Sequence, residues 1–217
     1  MIPARHIRAW SLHKIVLPEP LRYSEDLDYV RATHGPIGPL LDAIREIADR
    51  LGLDVNTDVG SYPKARLRAP FETGSGLMRV KIEINTYETS PARPHRRATY
   101  EVESGWWSGS ADVLTFQPEE LVATKLRALF QRKKGRDLFD LWLALTVLGL
   151  DPAEIVACFD PYRPEGYTAA RAGQGLAEHL GDPGFRADLL PLLGVVPEGY
   201  DLDTAASLIA GSLIDRL

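Results

Sequence analysis

The stretch RYSEDLDYV, residues 22–30, contains the most informative spacing in the chain. Its second half is rich in residues that favour strands, which predicts a short strand entered from a polar turn. Because side chains alternate faces along a strand, Asp26 and Asp28 would lie on the same side, about 6.5–7 Å apart. Two carboxylates at that spacing repel each other unless a cation lies between them, and Mg²⁺ prefers such oxygen ligands. The alternative is a solvated turn over residues 24–26 followed by a surface or helix-capping Asp28, the commoner outcome for an isolated Asp-x-Asp.

Length and composition are those of an ordinary globular protein. The 217 residues are 45% hydrophobic and 25% charged, and no apolar run approaches the roughly 20 residues that cross a bilayer. Arg5, His6 and Arg8 are not followed by an apolar core, so the N-terminus does not have the pattern of a secretory signal. The single cysteine, Cys158, cannot form an internal disulfide and is expected to pack as a small apolar residue. These features predict a cytoplasmic protein that does not use a membrane.

Charge is unevenly distributed along the chain. The net charge of −5 argues against non-specific binding of nucleic acid. Basic residues nevertheless cluster at 93–97 and at 132–136. Each cluster is either a solvated surface run or a set of cations that meets phosphate groups.

Periodicity predicts a mixed α+β architecture, with short alternating segments first and helices afterwards. Residues 7–16 are expected to form a short helix, and residues 40–51 an amphipathic helix that Gly52 ends. Five strands are predicted after it, at 53–58, 65–71, 77–85, 98–102 and 113–116. Helices follow from Pro118 to a break at Gly135, from Asp137 to about Leu148, and then over 153–159, 167–180, 185–193 and 204–217.

The predicted strand 77–85 has one apolar and one polar face. Val80, Ile82 and Ile84 share the first, whereas Lys81 and Glu83 belong to the second. The polar face either points to water, or Glu83 supplies a third carboxylate to a metal site with Lys81 beside it to meet a phosphate.

The helices after Pro118 carry three further charged residues, Lys125, Asp137 and Asp140. Lys125 lies at the border of its helix's buried arc, where it either keeps its ammonium in water or contacts a nucleotide phosphate. Asp137 is explained as a helix cap, with Asp140 three residues later. On the helical wheel, however, Asp137 falls within the apolar arc, where a carboxylate needs a partner such as Arg136, Lys125 or a metal.

Four blocks of the chain, taken in order, resemble the AbiEii/AbiGii toxin family of nucleotidyltransferases, which includes the mycobacterial MenT toxins. The resemblance extends over roughly residues 8–145. The blocks are RYSEDLD (22–28), KIEIN (81–85), PEEL with KLRAL and Arg132 (118–132), and RDLFDLW (136–142). None is specific alone, but the order and spacing of all four are.

The resemblance implies a polymerase-β-like nucleotidyltransferase core, a small mixed sheet with helices, over residues 1–117. A helical domain carrying the Lys125 and Asp137 motif would follow over residues 118–217. It further implies an Mg²⁺-dependent toxin of a toxin–antitoxin pair, with an NTP as co-substrate. Such a toxin adds nucleotides to the 3′ end of tRNA and so blocks translation. The partners would be an antitoxin encoded nearby and the acceptor tRNA, and the free toxin would be a monomer.

Residue by residue, the resemblance makes Asp26, Asp28 and Glu83 the metal ligands. Asp26 and Asp28 would act in catalysis together with Lys125 and Asp137, and Asp140 is a further candidate. Ser11, Lys81, Lys125 and Arg136 would bind the nucleotide.

One departure from the family pattern leaves other functions open. The family usually has a glycine-containing turn before the metal strand. Here the corresponding residues 8–14 (RAWSLHK) contain no glycine and include the bulky Trp10. Ser11 could still bond a phosphate. Competing hypotheses are therefore NTP-dependent modification of a protein or small-molecule acceptor, and a catalytically weak binding protein that keeps the nucleotidyltransferase fold.

Overall fold

The computed structural model describes residues 7–9, 11–17, 19–24, 26–31, 34–71, 74–88, 90–105 and 107–217. The chain forms two compact units. The described residues of 1–11, 25–90 and 95–116 make up the first, and those of 12–24, 91–94 and 117–217 the second. The longest segment of the second unit starts at Gln117, and the unit also takes in residues 12–24 and 91–94.

The first unit is built on a mixed sheet. Within the described ranges it has seven strands, in the order β3-β4-β5-β2-β1-β7-β6. The strands are β1 Ile7–Ala9, β2 Asp26–Arg31, β3 Asp54–Asp58, β4 Lys64–Pro70, β5 Leu77–Asn85, β6 Arg96–Glu103 and β7 Ser108–Thr115. The predicted strand within residues 22–30 and all five later strands are confirmed. The expected helix over residues 7–16 is wrong in its first half, because the backbone of residues 7–9 pairs with β2 and β7 instead.

The core of the first unit lies between the sheet and one helix, α2 (Gly38–Arg50). Leu41, Ile44 and Ala48 from the helix pack with Ile82 and Ile84 of β5. The helix follows the predicted amphipathic pattern and ends at Gly52, whose φ of 66° suits a residue without a Cβ. The apolar face of β5 therefore points to α2, and the polar face with Lys81 and Glu83 is on the other side of the sheet.

The second unit is helical. Its helices are α1 Leu12–Ile15, α3 Pro118–Gln131, α4 Gly135–Thr146, α5 Pro152–Ala157, α6 Ala169–Leu180, α7 Pro183–Ala187 and α8 Leu202–Ser212, with 3₁₀ turns at 160–162, 190–192 and 214–216. The α3 and α4 helices pack against each other, and α8 packs on α4. Cys158 is buried here, as expected for a small apolar residue.

The start of α4 differs from the prediction. Gly135 is the first residue of the helix rather than a break before it, and Lys134 occupies the N-cap position. Asp137 is therefore inside the first turn and fully buried, so its interpretation as a cap is wrong and its place in the apolar arc is confirmed.

A separate question is whether any segment could lie in a bilayer, and no helix among the described residues has the length and apolar character to span one.

Candidate active site

Three carboxylates converge on the polar face of the first unit's sheet. Strand β2 runs parallel to β5, in a register that places Asp28 opposite Glu83 and Asp26 opposite Lys81. Asp26, Asp28 and Glu83 each offer one oxygen, and these three oxygens lie within 4.8 Å of one another. The three residues that the sequence nominates as metal ligands are thus close enough to share a cation.

Two lysines neutralise much of this negative charge. The Lys81 Nζ lies 2.7 Å from Asp26 Oδ2 and 3.2 Å from Glu83 Oε1. Lys64, which is opposite Glu83 on β4, places its Nζ 3.1 Å from the same Glu83 oxygen. Burial raises the pKa of Glu83, but the hydrogen bonds and charges of Lys64 and Lys81 outweigh it, so the pKa lies below its usual range. Burial lowers the pKa of Lys81, yet its hydrogen bonds to Asp26 and Glu83 raise it overall.

The chemistry of this donor set fits a hard divalent cation. Carboxylate oxygens from separate strands are the ligands that Mg²⁺ and Ca²⁺ prefer. The side chains of Asp26 and Glu83 are 29% and 33% exposed, which leaves them accessible to an ion from solution. The two ammonium groups already contact Asp26 and Glu83, so an ion would compete with them for those oxygens.

A second charged cluster lies in the second unit around Asp140, which is fully buried. Arg22 donates from Nε to Oδ1 and from Nη2 to Oδ2, each at 2.7 Å, and His13 Nε2 lies 2.7 Å from Oδ1. Lys125 Nζ lies 3.1 Å from Oδ2. Burial raises the pKa of Asp140, but the charge of Lys125 and the hydrogen bonds from Arg22 and His13 hold it well below its usual range. Asp140 is therefore a buried carboxylate that fixes Arg22 and Lys125.

Asp137 lies beside this cluster with a different main partner. Arg132 donates to both of its oxygens at 2.7 Å from Nε and Nη2, and Lys125 Nζ lies 3.8 Å from Oδ1. The expectation that an inward-pointing Asp137 needs a basic partner is confirmed. Lys125 is one such partner, whereas Arg136 is not, because its guanidinium pairs with Asp188. That pairing lowers the pKa of Asp188 to about 2, although burial opposes it.

Most basic residues of the two predicted clusters form ion pairs within the second unit. Arg93 pairs with Glu154, Lys133 with Asp182 at 2.6 Å, and Lys134 with Asp188 at 3.2 Å. Ser11 lies half-buried just before α1. Trp10, whose bulk is the departure from the family pattern, lies outside the described residues, as does Glu25 of the opening stretch.

The sequence analysis did not identify Lys64, His13 or Arg22 as members of a charged cluster. Lys64 had a usable signal, because it directly precedes the predicted strand at 65–71 and continues the alternation of Arg66 and Arg68. Arg22 and His13 had none. Their partner Asp140 lies 118 and 127 residues further along the chain, and no local pattern connects them.

Comparison with known proteins identifies the family. A family model described as "Nucleotidyl transferase AbiEii toxin, Type IV TA system" matches residues 10–207. The chain belongs to the AbiEii family. The match spans both charged clusters, so the acids of β2 and β5 and the Lys125 group are parts of an AbiEii nucleotidyltransferase.

Structural comparison supports the fold of this AbiEii protein. The crystal structure of JHP933 from Helicobacter pylori is similar with a TM-score of 0.51 and 18% identity, over 95% of this chain and 81% of that one. A second structure, of a candidate nucleotidyltransferase from H. pylori, has a TM-score of 0.48 and 19% identity, over 88% of this chain and 76% of that one. The first likeness, at 18% identity, shows a shared α+β fold alone. None of the curated proteins compared with the chain matches it.

Proposed function

We propose that this AbiEii toxin transfers nucleotides from an NTP to the 3′ end of tRNA in an Mg²⁺-dependent reaction, and thereby blocks translation. Membership of a type IV toxin–antitoxin family implies an antitoxin partner. The proposal adds that the free toxin is a monomer that acts in the cytoplasm, where tRNA and NTPs are both present. The observation that carries it is the convergence of Asp26, Asp28 and Glu83 on one face of the sheet.

In this proposal Asp26, Asp28 and Glu83 hold the metal. When bound, Mg²⁺ would neutralise phosphate charge and favour attack by a 3′-hydroxyl. Lys81 would respond most directly to metal binding, because its ammonium contacts two of the three proposed metal ligands. Once a cation satisfies Asp26 and Glu83, the ammonium becomes available to a phosphate of the incoming nucleotide.

The cluster around Lys125 supplies the second part of the proposal. Lys125 would neutralise nucleotide phosphate charge, with Asp140 and Asp137 holding its ammonium in position. Ser11 and Arg136 complete the proposed nucleotide contacts. Lys125 and Arg136 keep 22% and 26% of their side chains exposed, and each is held by a carboxylate, Lys125 by Asp140 and Arg136 by Asp188. Each would therefore exchange an ion pair for a phosphate of the nucleotide.

The test incubates the protein with Mg²⁺, total tRNA and each labelled NTP in turn. The wild type should label RNA, and Asp26→Ala should reduce the rate by at least about 10³-fold, the scale seen for groups that stabilise transition-state charge. Asp49→Asn, which removes an exposed carboxylate from α2 instead, should label RNA at the wild-type rate. Equal labelling by wild type and Asp26→Ala would refute the assignment. A nucleotide found on protein by intact-mass analysis, with no label on RNA, would favour the competing hypothesis of a protein acceptor.

A further inference from the structure

The polar face of the first unit's sheet continues beyond the acidic triad as a row of basic residues. On β4 the side chains of Lys64, Arg66 and Arg68 alternate onto this face, and on β5 those of Arg79 and Lys81 do. The register places Arg66 directly opposite Lys81, and Arg68 directly opposite Arg79. Like charges in direct cross-strand pairs destabilise a sheet, so these pairs call for an explanation other than folding.

Three of these residues have no counter-ion in the described part of the protein. Lys64 and Lys81 form ion pairs with the triad, whereas the guanidinium groups of Arg66, Arg68 and Arg79 are exposed and make no hydrogen bond or ion pair with any described residue. The neighbouring strand β3 places Asp54 opposite Arg68 and the neutral Asn56 opposite Arg66. Asp58 lies opposite Lys64, so of the β3 carboxylates on this face only Asp54 lies opposite one of the three arginines, and the arginines keep a net positive charge.

The row leads towards the triad. Arg79 and Glu83 are four residues apart on the same strand and the same face, which corresponds to about 13 Å. The arginines are spread over two neighbouring strands, an arrangement that suits successive phosphates of a nucleic-acid strand. The planar guanidinium group suits bidentate contact with a phosphate.

We propose that Arg66, Arg68 and Arg79 bind the phosphate backbone of the acceptor RNA and lead its 3′ end to the triad. This assignment of the bound strand as the acceptor rests on the proposed nucleotidyl transfer. Binding of RNA by the arginine row is a separate claim and is measured without a nucleotide. Contact with phosphate groups is also one interpretation of the basic cluster at 132–136, but Arg132, Lys133, Lys134 and Arg136 are engaged in ion pairs there.

The experiment measures binding of a fluorescein-labelled single-stranded RNA oligonucleotide, and of labelled total tRNA, by anisotropy at several salt concentrations without Mg²⁺ or NTP. The doubly substituted Arg66→Gln/Arg79→Gln protein should bind about tenfold more weakly at low salt. Its plot of log affinity against log salt should be shallower by about 1.4, because each lost contact to a single strand removes about 0.7 from the slope.

The matched control is Arg45→Gln/Arg50→Gln. It removes the same charge from α2 on the opposite side of the sheet, where Arg45 pairs with Asp42 and Arg50 with Glu46. It should leave both affinity and slope at their wild-type values. The charge-retaining Arg66→Lys/Arg79→Lys protein should keep most of the slope. The Arg66→Gln/Arg79→Gln protein should unfold at the wild-type temperature or above it, because two repulsive cross-strand pairs are relieved.

An unchanged slope for Arg66→Gln/Arg79→Gln, or an equal loss in the α2 control, would overturn the proposal. Displacement of the labelled RNA by poly-glutamate as effectively as by unlabelled RNA would also overturn it, because the row would then be a site for an acidic protein. Wild-type protein that binds RNA through the row but transfers no label would refute the proposed transfer and leave this inference standing. A failure of nucleotidyl transfer and a failure of this inference therefore give different results.

Discussion

Lys81 forms ion pairs with two carboxylates that are also proposed to bind the metal. Its ammonium lies within hydrogen-bonding distance of both Asp26 and Glu83, and Lys64 adds a second cation at Glu83. Without a metal, these contacts offset the repulsion of three carboxylates whose oxygens lie within 4.8 Å of one another. A divalent cation would do the same with twice the charge, so lysine and metal are competitors for the same oxygens.

Replacement of Lys81 by methionine should strengthen metal binding. Lys81→Met keeps the length of the side chain but removes its charge, which leaves the carboxylates without their main counter-ion. The gain is about 1 kcal/mol for a partly exposed group, or about fivefold in affinity for Mn²⁺ measured by titration calorimetry without nucleotide. Lys133→Met, which removes a surface ammonium paired with Asp182, serves as the control and should bind Mn²⁺ as the wild type does. Weaker binding by Lys81→Met would mean that the lysine supports the metal site instead of competing with it.

At the scale of elements, the α3–α4 pair positions the second charged cluster. Lys125 projects from α3, and Asp137 and Asp140 are three residues apart on one face of α4. The first residue of α4 lies against α7. A Cβ added at Gly135 would come within 2.3 Å of the Phe185 carbonyl oxygen, so this glycine permits a close approach of two backbones.

Gly135→Ala should therefore destabilise the protein although alanine is the better helix former. We expect a loss of about 1–3 kcal/mol in the free energy of unfolding, because backbone has to shift to admit the methyl group. Gly173→Ala in α6, where an added Cβ meets nothing within 4 Å, should stabilise by about 0.5–1 kcal/mol. Chemical denaturation of both variants distinguishes the two effects, and a stabilised Gly135→Ala would contradict the packing explanation.

At the scale of the whole molecule, the described structure keeps several carboxylates ionised against the cost of burial. Lysine partners lower the pKa of Glu83. The pKa of Asp140 is lowered by Lys125, Arg22 and His13. The pKa of Asp188 is lowered to about 2 by Arg136. Each of these groups has a lower pKa in the folded than in the unfolded chain. Their contribution to stability is therefore complete above the unfolded value and is lost as the pH falls through the folded value.

The free energy of unfolding should consequently decrease on acidification from about pH 5 to about pH 2. Asp140→Asn should be less stable by about 3–5 kcal/mol at neutral pH, since Arg22 and Lys125 keep their charges beside a neutral amide. Its stability should also vary less with pH than that of the wild type.

The control is Asp203→Asn, which breaks the exposed pair with Arg186 and should change stability far less at neutral pH. Urea denaturation at a series of pH values measures all three proteins. An acid limb in Asp140→Asn as steep as in the wild type would show that other carboxylates dominate it.

Local pattern was enough to predict most elements. The strand at 77–85 was predicted with its observed bounds, and the face shared by Val80, Ile82 and Ile84 is the one that packs on α2. Prediction failed where long-range pairing outweighed local preference. Residues 7–9 form a strand because β2 and β7 offer them hydrogen-bonding partners, and Asp137 is buried because Arg132 and Lys125 neutralise it.

The sequence by itself determined the alternation that puts Asp26 with Asp28 and Lys81 with Glu83 on single faces of their strands. Only the tertiary structure decided that Asp28 lies opposite Glu83, that Arg68 lies opposite Arg79, and that Arg22 and His13 bind Asp140. The physical reason is that alternation follows from the geometry of a single strand, whereas register and ion pairing depend on which distant segments pack together. A one-residue slip between β2 and β5 would leave the sequence pattern unchanged and would separate the acids of the candidate site.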